Sequence, residues 1–313
     1  MNTNKFNAID WNSCQEFDLL IWEQNKRNLW FDTEIPLSDD KNTWSRMSSN
    51  EQDTYKKVLG GLTLLDTQQS FVGMPRIMLE CNDLFQKSIM TFMSMMETVH
   101  AKSYSSIFST LCTTKEIKDI FDWTETNIYL VEKMRIILDV YNNIPKYSLS
   151  TAMAASVMLE SFLFYSGFFY PLYLAANGKL TNSNEIINLI IRDEALHGVY
   201  IGQLAQQQNS YDVKLINQIF NDLLTIEFEY CEYLYKDLNL VNDAKNFVRY
   251  NANKAFMNLG LDAPFPTLRE SDVNPMVIKG LDTDAKNHDF FSKKGNGYIR
   301  GTVEKTNDDD FDF

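Results

Sequence analysis

The chain has 313 residues, with 42 acidic and 29 basic side chains, a formal net charge of −13 and a pI near 4.7. A nucleic-acid binder or a protein that docks on an anionic membrane needs a basic surface, so this charge balance disfavours both classes. The length is sufficient for a core that buries a polar site.

The predicted elements are almost all helical, because Gly and Pro are sparse, at 12 and 7 residues, and strand-like alternation is rare. Apolar spacing, a capping box and an Asn-Gly stop indicate the boundaries. The predicted helices span residues 10–29, 48–80, 82–110, 114–142, 148–177, 182–208, 211–238 and 242–259. Long helices joined by short polar loops are typical of an all-α bundle. We expect one helical domain over residues 1–281 and a flexible tail over 282–313.

One predicted helix requires a membrane test. The stretch from Ala152 to Ala176 is long enough to span a bilayer, and Glu160 is its only charged residue. It also contains a proline, several serines and three tyrosines. A helix that is apolar on all sides can equally be the central helix of a bundle, and we prefer that interpretation.

The four cysteines are scattered, without a C-x-x-C pair. This spacing predicts neither a disulfide framework nor a thiolate zinc site, and it favours a cytoplasmic location. The first residues, MNTNKFNAIDWNS, lack the basic-then-apolar pattern of a signal peptide.

Two of the three histidines share one pattern, E-x-x-H, in two different predicted helices. Glu97 precedes His100 by three residues, and Glu194 precedes His197 by three. Residues three apart on a helix project from the same side, so each pair can present a carboxylate and an imidazole to one point. A single E-x-x-H motif is weak evidence, but its occurrence at two of three histidines is improbable by chance.

Two further helices each place one acid in an apolar run: Asp66 in GLTLLDTQQS and Glu160 in SVMLESFLF. A buried carboxylate needs a counter-charge or a metal ion. Four helices that supply acid, E-x-x-H, acid and E-x-x-H match the ligand set of dinuclear carboxylate bundles. Such a set suits Fe or Mn equally. The alternative is a group of buried ion pairs, which would need basic partners.

Tyr104 follows His100 by four residues, so its ring is expected on the metal-facing side of the same helix. A buried tyrosine hydrogen-bonded to a carboxylate is the ordinary interpretation. Beside two oxidising metal ions, a phenol can also act as a one-electron donor. Phe164, Phe168 and Ile190 are spaced to line a dry pocket around it.

These residues and the segments around them resemble the small, radical-generating β subunit of class I ribonucleotide reductase, class Ib in particular. The resemblance extends over essentially the whole chain. It includes the segments LWFDTEIPLSDD, KKVLGGLTLLDTQQ, MMETVHAKSYSSIF, LESFLFYSGF, IIRDEALHG, NHDFFS and DDDFDF. It implies a ferritin-like helical bundle and a dinuclear Mn or Fe cofactor.

The resemblance also assigns roles to individual residues. The six metal ligands would be Asp66, Glu97, His100, Glu160, Glu194 and His197. Tyr104 would carry the stable radical, and a hydrogen-bonded chain through His100, Asp193 and Trp30 would connect the metal site to the surface. Tyr298, in the tail, would pass the oxidising equivalent to the larger subunit.

The expected partners follow from the same resemblance. They are the catalytic α subunit, a flavodoxin-like activator and a second copy of this chain. The last six residues, DDDFDF, would order on docking to the α subunit, with Phe311 and Phe313 as anchors; the ordinary alternative is a solvated acidic terminus. A related dinuclear-metal oxidase or monooxygenase, a ferritin-like metal store and a purely structural bundle are the competing interpretations.

Overall fold

The computed structural model of the chain describes residues 8–208 and 211–281. Within these ranges the architecture is helical, and no β-strand occurs there. The α-helices are α1 (Glu16–Asn28), α2 (Asp40–Trp44), α3 (Ser49–Gln68), α4 (Met74–Glu80), α5 (Leu84–Leu111), α6 (Thr114–Thr126), α7 (Ile128–Asn142), α8 (Ile144–Tyr147), α9 (Leu149–Met158), α10 (Tyr165–Ala176), α11 (Thr181–Gln206), α12 (Val213–Tyr235), α13 (Val241–Asn258) and α14 (Pro275–Leu281). The prediction of an all-α bundle is confirmed.

Two predicted helix boundaries are wrong. The segment predicted as one helix over 114–142 is broken at Asn127, whose side chain accepts hydrogen bonds from the backbone N–H groups of Tyr129 and Leu130 and so caps a new helix. The first helix begins at Glu16 rather than at Asp10, because residues 11–13 form a separate 3-10 turn. The short helices α2, α8 and α14 were not predicted.

Two helices contain a π-helical turn, which inserts one extra residue into the helical spacing. The first covers Gln69–Gly73 and joins α3 to α4, and the second covers Leu159–Leu163 and joins α9 to α10. The first turn begins three residues after Asp66, and the second turn contains Glu160. Both isolated acids therefore lie at or next to a π-helical turn.

The apolar segment Leu149–Ala176 is the central helix of the bundle. It is the single described helix that is long and apolar enough to cross a membrane, and its most apolar window is completely buried inside the protein. Its first half packs against α11 and its second half against α14. Gly280 of α14 lies directly on the backbone of Leu172, where a Cβ would be 2.3 Å from the carbonyl oxygen. The interpretation as a core helix is confirmed.

Candidate metal centre

The six predicted metal ligands lie on packed core helices, and all are fully buried. They are Asp66 near the end of α3, Glu97 and His100 in α5, Glu160 in the second π-helical turn, and Glu194 and His197 in α11. The hydrophobic residues around them hold these polar groups away from water. The sequence therefore brings six potential ligands into one dry site.

The six side chains form two overlapping groups. The first contains Asp66, Glu97, His100 and Glu194, and the second contains Glu97, Glu160, Glu194 and His197. Within each group, one ligand atom of every residue lies within 4.8 Å of the others. Because Glu97 and Glu194 belong to both groups, the arrangement offers two adjacent cation positions that share two carboxylates.

The two imidazoles turn the same nitrogen toward the carboxylates. His100 Nδ1 is 2.9 Å from Glu194 Oε1 and 3.3 Å from Asp66 Oδ1. His197 Nδ1 is 2.8 Å from Glu97 Oε1. The two rings are nearly parallel, with centroids 6.3 Å apart. Both Nδ1 atoms are thus directed into the space between the carboxylates.

The alternative interpretation, in which the six side chains form buried ion pairs with basic residues, does not agree with the charges present. No Lys or Arg within residues 8–208 and 211–281 forms an ion pair with any of the four carboxylates. Four carboxylates against two imidazoles leave excess negative charge even when both imidazoles are protonated. Each uncompensated buried charge costs several kcal/mol, so either protons or added cations must neutralise the excess.

The hydrogen-bonding state of the ligand atoms also fits bound metal. Several of these atoms are buried and make no hydrogen bond within the described residues: both oxygens of Asp66, Glu97 Oε2, His100 Nδ1, Glu160 Oε2 and both oxygens of Glu194. Buried polar atoms are normally satisfied, and the largest group of exceptions within the described residues lies at this site. Carboxylate and imidazole donors suit divalent first-row ions such as Mn and Fe.

The pKa directions describe the same imbalance. Burial raises the pKa of Asp66 and of Glu160 well above the ordinary range, and neighbouring carboxylates raise both further. Burial would also raise the pKa of Glu97, but contacts with the imidazoles of His100 and His197 outweigh it and lower the pKa to about 2. Cations that replace the protons of the site would therefore bind with release of protons.

A hydrogen-bonded chain leads away from His100. Its Nε2 lies 3.2 Å from Asp193 Oδ2, and Trp30 Nε1 donates a 2.7 Å hydrogen bond to the same oxygen. Burial would raise the pKa of Asp193, but the charge of Arg192 and the contacts with His100 and Trp30 lower it overall, so the carboxylate stays ionised. The structure thus joins His100, Asp193 and Trp30 directly, in the order that the resemblance implies.

Tyr104 is fully buried on α5, and its hydroxyl makes no hydrogen bond with the part of the chain that the structure describes. Burial raises the pKa of this phenol well above its usual value, and the charges of Asp66, Glu194 and Glu97 raise it further. Tyr104 is therefore a neutral phenol in a dry site. Phe164 and Phe168 are also fully buried and pack edge to face, with ring centroids 5.8 Å apart.

Sequence reasoning missed one polar group in contact with the site. Gln69 donates a hydrogen bond to Glu160, and Tyr141 in turn donates one to Gln69. The only available signal was the pair of amides in DTQQS, which lie two and three residues after Asp66. Tyr298 and the DDDFDF segment lie outside the described residues, so their predicted roles and the predicted division at residue 281 stay predictions.

Comparison with known proteins gives concordant matches. A family model described as "Ribonucleotide reductase, small chain" matches residues 8–275. The ribonucleoside-diphosphate reductase subunit beta of Bacillus subtilis is 48% identical over 328 residues, which cover 99% of this chain and 98% of that protein. The ribonucleoside-diphosphate reductase 2 subunit beta of Escherichia coli is 39% identical, with full coverage of both chains.

A solved structure is similar over most of the chain. The X-ray structure of dimanganese(II)-NrdF from Streptococcus sanguinis has 45% sequence identity and a TM-score of 0.84, and the match covers 88% of this chain and all of that one. An R2 subunit from Clostridium botulinum, at 24% identity and a TM-score of 0.80, shares the fold.

Proposed function

The chain belongs to the small-chain family of ribonucleotide reductases, and from this premise we propose how its own residues perform the radical-generating role. Six side chains hold two metal ions: Asp66, Glu97, His100, Glu160, Glu194 and His197. Tyr104 carries the radical. The oxidising equivalent then passes through Trp30 to the catalytic α subunit, where ribonucleoside diphosphates are reduced.

The sharing of Glu97 and Glu194 by two ligand groups is the observation that carries this proposal. A single metal ion would need only one group, and a network of ion pairs would need basic residues. None of the four free cysteines belongs to either group, so the donors are oxygen and nitrogen only. We propose manganese as the resident metal, because a relative 45% identical in sequence is a dimanganese(II) protein.

Once oxidised by the O2-derived oxidant that the activator delivers, bound metal of this kind would supply a one-electron oxidant for Tyr104. Because the phenol is neutral, its oxidation must remove a proton together with the electron. The charge of Asp66 raises the pKa of Tyr104, and we propose this carboxylate as the proton acceptor. The complete burial of the ring and the lack of a hydroxyl partner within the described residues leave the resulting neutral radical without a ready reductant.

Transfer to the α subunit uses the chain of His100, Asp193 and Trp30. Ionised Asp193 orients the His100 ring through Nε2 and holds the Trp30 indole through Nε1. Trp30 is therefore fixed to the site rather than only packed beside it. We propose that the tail continues this path through Tyr298 and docks the α subunit with DDDFDF. A flavodoxin-like activator and a cytoplasmic location complete the proposal.

A second copy of the chain is the proposed occupant of an exposed apolar face on the first π-helical turn, α4 and α5. Phe71, Leu79 and Met95 are 69%, 65% and 41% exposed. Reciprocal hydrogen bonds of 2.8 Å between Ser70 and Ser94 hold the turn against α5, so Phe71 and Met95 lie beside that junction. Apolar patches of this kind mark interaction surfaces. Formation of a homodimer through this face would bury Phe71, Leu79 and Met95.

The proposal is tested by reconstituting the protein with Mn(II) or Fe(II) and its oxidant, measuring bound metal, and recording EPR spectra of wild type and Tyr104→Phe. We expect two ions per chain in both proteins and a radical signal in wild type alone. Equal spectra after oxidation, with metal bound, would show that Tyr104 is not the radical site. Substrate turnover without the α subunit would instead favour a dinuclear-metal oxidase.

A further inference from the structure

The Gln69 amide occupies a specific place beside Glu160. It lies in the first π-helical turn, and Glu160 lies in the second, 91 residues further along the chain. A π-helical turn displaces the side chains that follow it from their α-helical positions, and such turns occur frequently at functional sites. Here the two turns bring an amide and a carboxylate of the site into direct contact.

Every hydrogen-bonding group of this amide has a partner. Its Nε2 donates to Glu160 Oε1 at 2.6 Å and to Ser156 Oγ at 2.7 Å. Its Oε1 accepts from the Tyr141 hydroxyl at 2.8 Å. When Glu160 is ionised, as it must be to bind a cation, a flipped amide would place its carbonyl oxygen against that carboxylate. The contacts therefore fix one orientation, in which the amide donates to Glu160.

Gly73 provides the space for the amide. A Cβ at this position would lie 2.1 Å from Gln69 Oε1 and 2.7 Å from Tyr141 Cε2. The backbone thus leaves just enough space for the carbonyl of Gln69 and the ring of Tyr141 together. Gln69 and Ser156 are completely buried, and Tyr141 is 1% exposed, so water does not compete for these hydrogen bonds.

The effect on Glu160 is asymmetric. Gln69 holds Oε1, while Oε2 has no hydrogen-bond partner among residues 8–208 and 211–281. Glu160 is a member of the second ligand group only, whereas Glu97 and Glu194 belong to both. Anything that orients Glu160 therefore acts on one of the two cation positions.

We propose that Gln69, itself held by Tyr141 and Ser156, is a positioning residue that orients Glu160 for the cation held by Glu97, Glu160, Glu194 and His197. This inference rests on the proposed function, since it assumes that the two groups bind metal. The Gln69 amide then acts on this one cation site, and the cation site that contains Asp66 and His100 is not affected.

The test is a titration of the full-length metal-free protein with Mn(II), in which free Mn(II) is followed by EPR. Wild type should bind two ions. Gln69→Met keeps the length of the side chain but removes the amide, and we expect it to weaken one of the two ions about 10- to 100-fold, the range typical of partners that orient a metal ligand. The other ion should bind as in wild type.

Tyr141→Phe provides a milder version of the same change, because it removes only the hydroxyl that holds Gln69 Oε1. We expect a smaller weakening of the same single ion, with the EPR spectrum of the bound Mn(II) altered in the same sense as in Gln69→Met. Tyr170→Phe is the matched control: Tyr170 is equally buried, but its hydroxyl has no hydrogen-bond partner within the described residues. It should leave both ions and the spectrum unchanged.

Two results would overturn the inference alone. One is wild-type affinity for both ions in Gln69→Met, and the other is an equal loss at both ions, which would indicate general structural damage. Binding of fewer than two Mn(II) ions by wild type would instead overturn the proposed function, and the inference with it.

Discussion

Two buried clusters of charge within the described residues differ in kind, and one of them is the candidate site. Lys133 of α7 donates a hydrogen bond to Glu227 of α12, and both side chains are fully buried. The Lys133 ammonium also lies 4.0 Å from the ring centre of Tyr230. One cation matches one anion there, and an aromatic face adds to the attraction.

The metal centre is the opposite case. It holds four carboxylates and two imidazoles, with many ligand atoms left without hydrogen bonds. Burial of charge is therefore not by itself a sign of function. A buried charge that is not balanced is a sign of function, because the folded protein tolerates it only when something else supplies the missing positive charge.

Metal removal should produce the largest difference between the two clusters. Ions that bind only the folded state stabilise it, and at a free concentration of 1,000 times Kd each adds about 4 kcal/mol, so two add about 8 kcal/mol to the free energy of unfolding. Urea denaturation with Mn(II) and with a chelator measures this difference. Identical unfolding midpoints would contradict the assignment of the site.

The balanced pair should respond to mutation instead. Glu227→Leu leaves Lys133 buried without its partner and should cost about 3–5 kcal/mol of unfolding free energy. The double variant Lys133→Met/Glu227→Leu should recover most of that loss, and bound Mn(II) should stay at two ions in both variants. If the double variant were as unstable as the single one, the loss would come from packing rather than from charge.

A shared ligand of the metal centre should show the reverse behaviour. Glu194→Gln should weaken both ions by more than about 100-fold, or about 2.7 kcal/mol for each, because this carboxylate belongs to both groups. The metal-free protein should not be destabilised, since the amide removes excess negative charge. Titration with Mn(II) and denaturation without metal test the two parts. Glu185→Gln, an exposed change on the same helix, should alter neither.

The smallest expected effect concerns Asp193, which contacts a ligand but is not one. Asp193→Asn should weaken only the ion held by His100, by about 10-fold or about 1.4 kcal/mol, because the amide orients the imidazole less strongly than a carboxylate does.

Trp30→Phe should leave Mn(II) affinity unchanged while it blocks radical transfer to the α subunit. A large affinity loss in Trp30→Phe would mean that the indole also supports the metal ligands.

The sequence was sufficient to predict the six clustered side chains because the information is local. Each E-x-x-H pair is defined by helical spacing, and Asp66 and Glu160 are conspicuous as single acids in apolar runs. Trp30 had no such signal. Its link to Asp193 joins residues 163 positions apart, so only the family resemblance indicated it.

The π-helical turns and the Lys133–Glu227 pair could not be predicted from spacing. A π-helical turn depends on packing between distant helices and leaves no periodic pattern. Lys133 and Glu227 are 94 residues apart and each looks like an ordinary surface residue of an amphipathic helix. Gln69 was hidden for both reasons, since its role depends on a π-helical turn and on a partner in another helix.

The central apolar helix has a consequence for the synthesis of the protein. Gly280 covers the backbone of Leu172, yet Gly280 is made 108 residues after Leu172. At a translation rate of about 5–20 residues per second, the ribosome needs roughly 5–20 s to make the intervening chain. During that interval the apolar helix has left the ribosome, but α14 has not yet been made and cannot cover it. We expect nascent chains to engage chaperones at this stage, and truncated chains that end before α14 to aggregate through this helix.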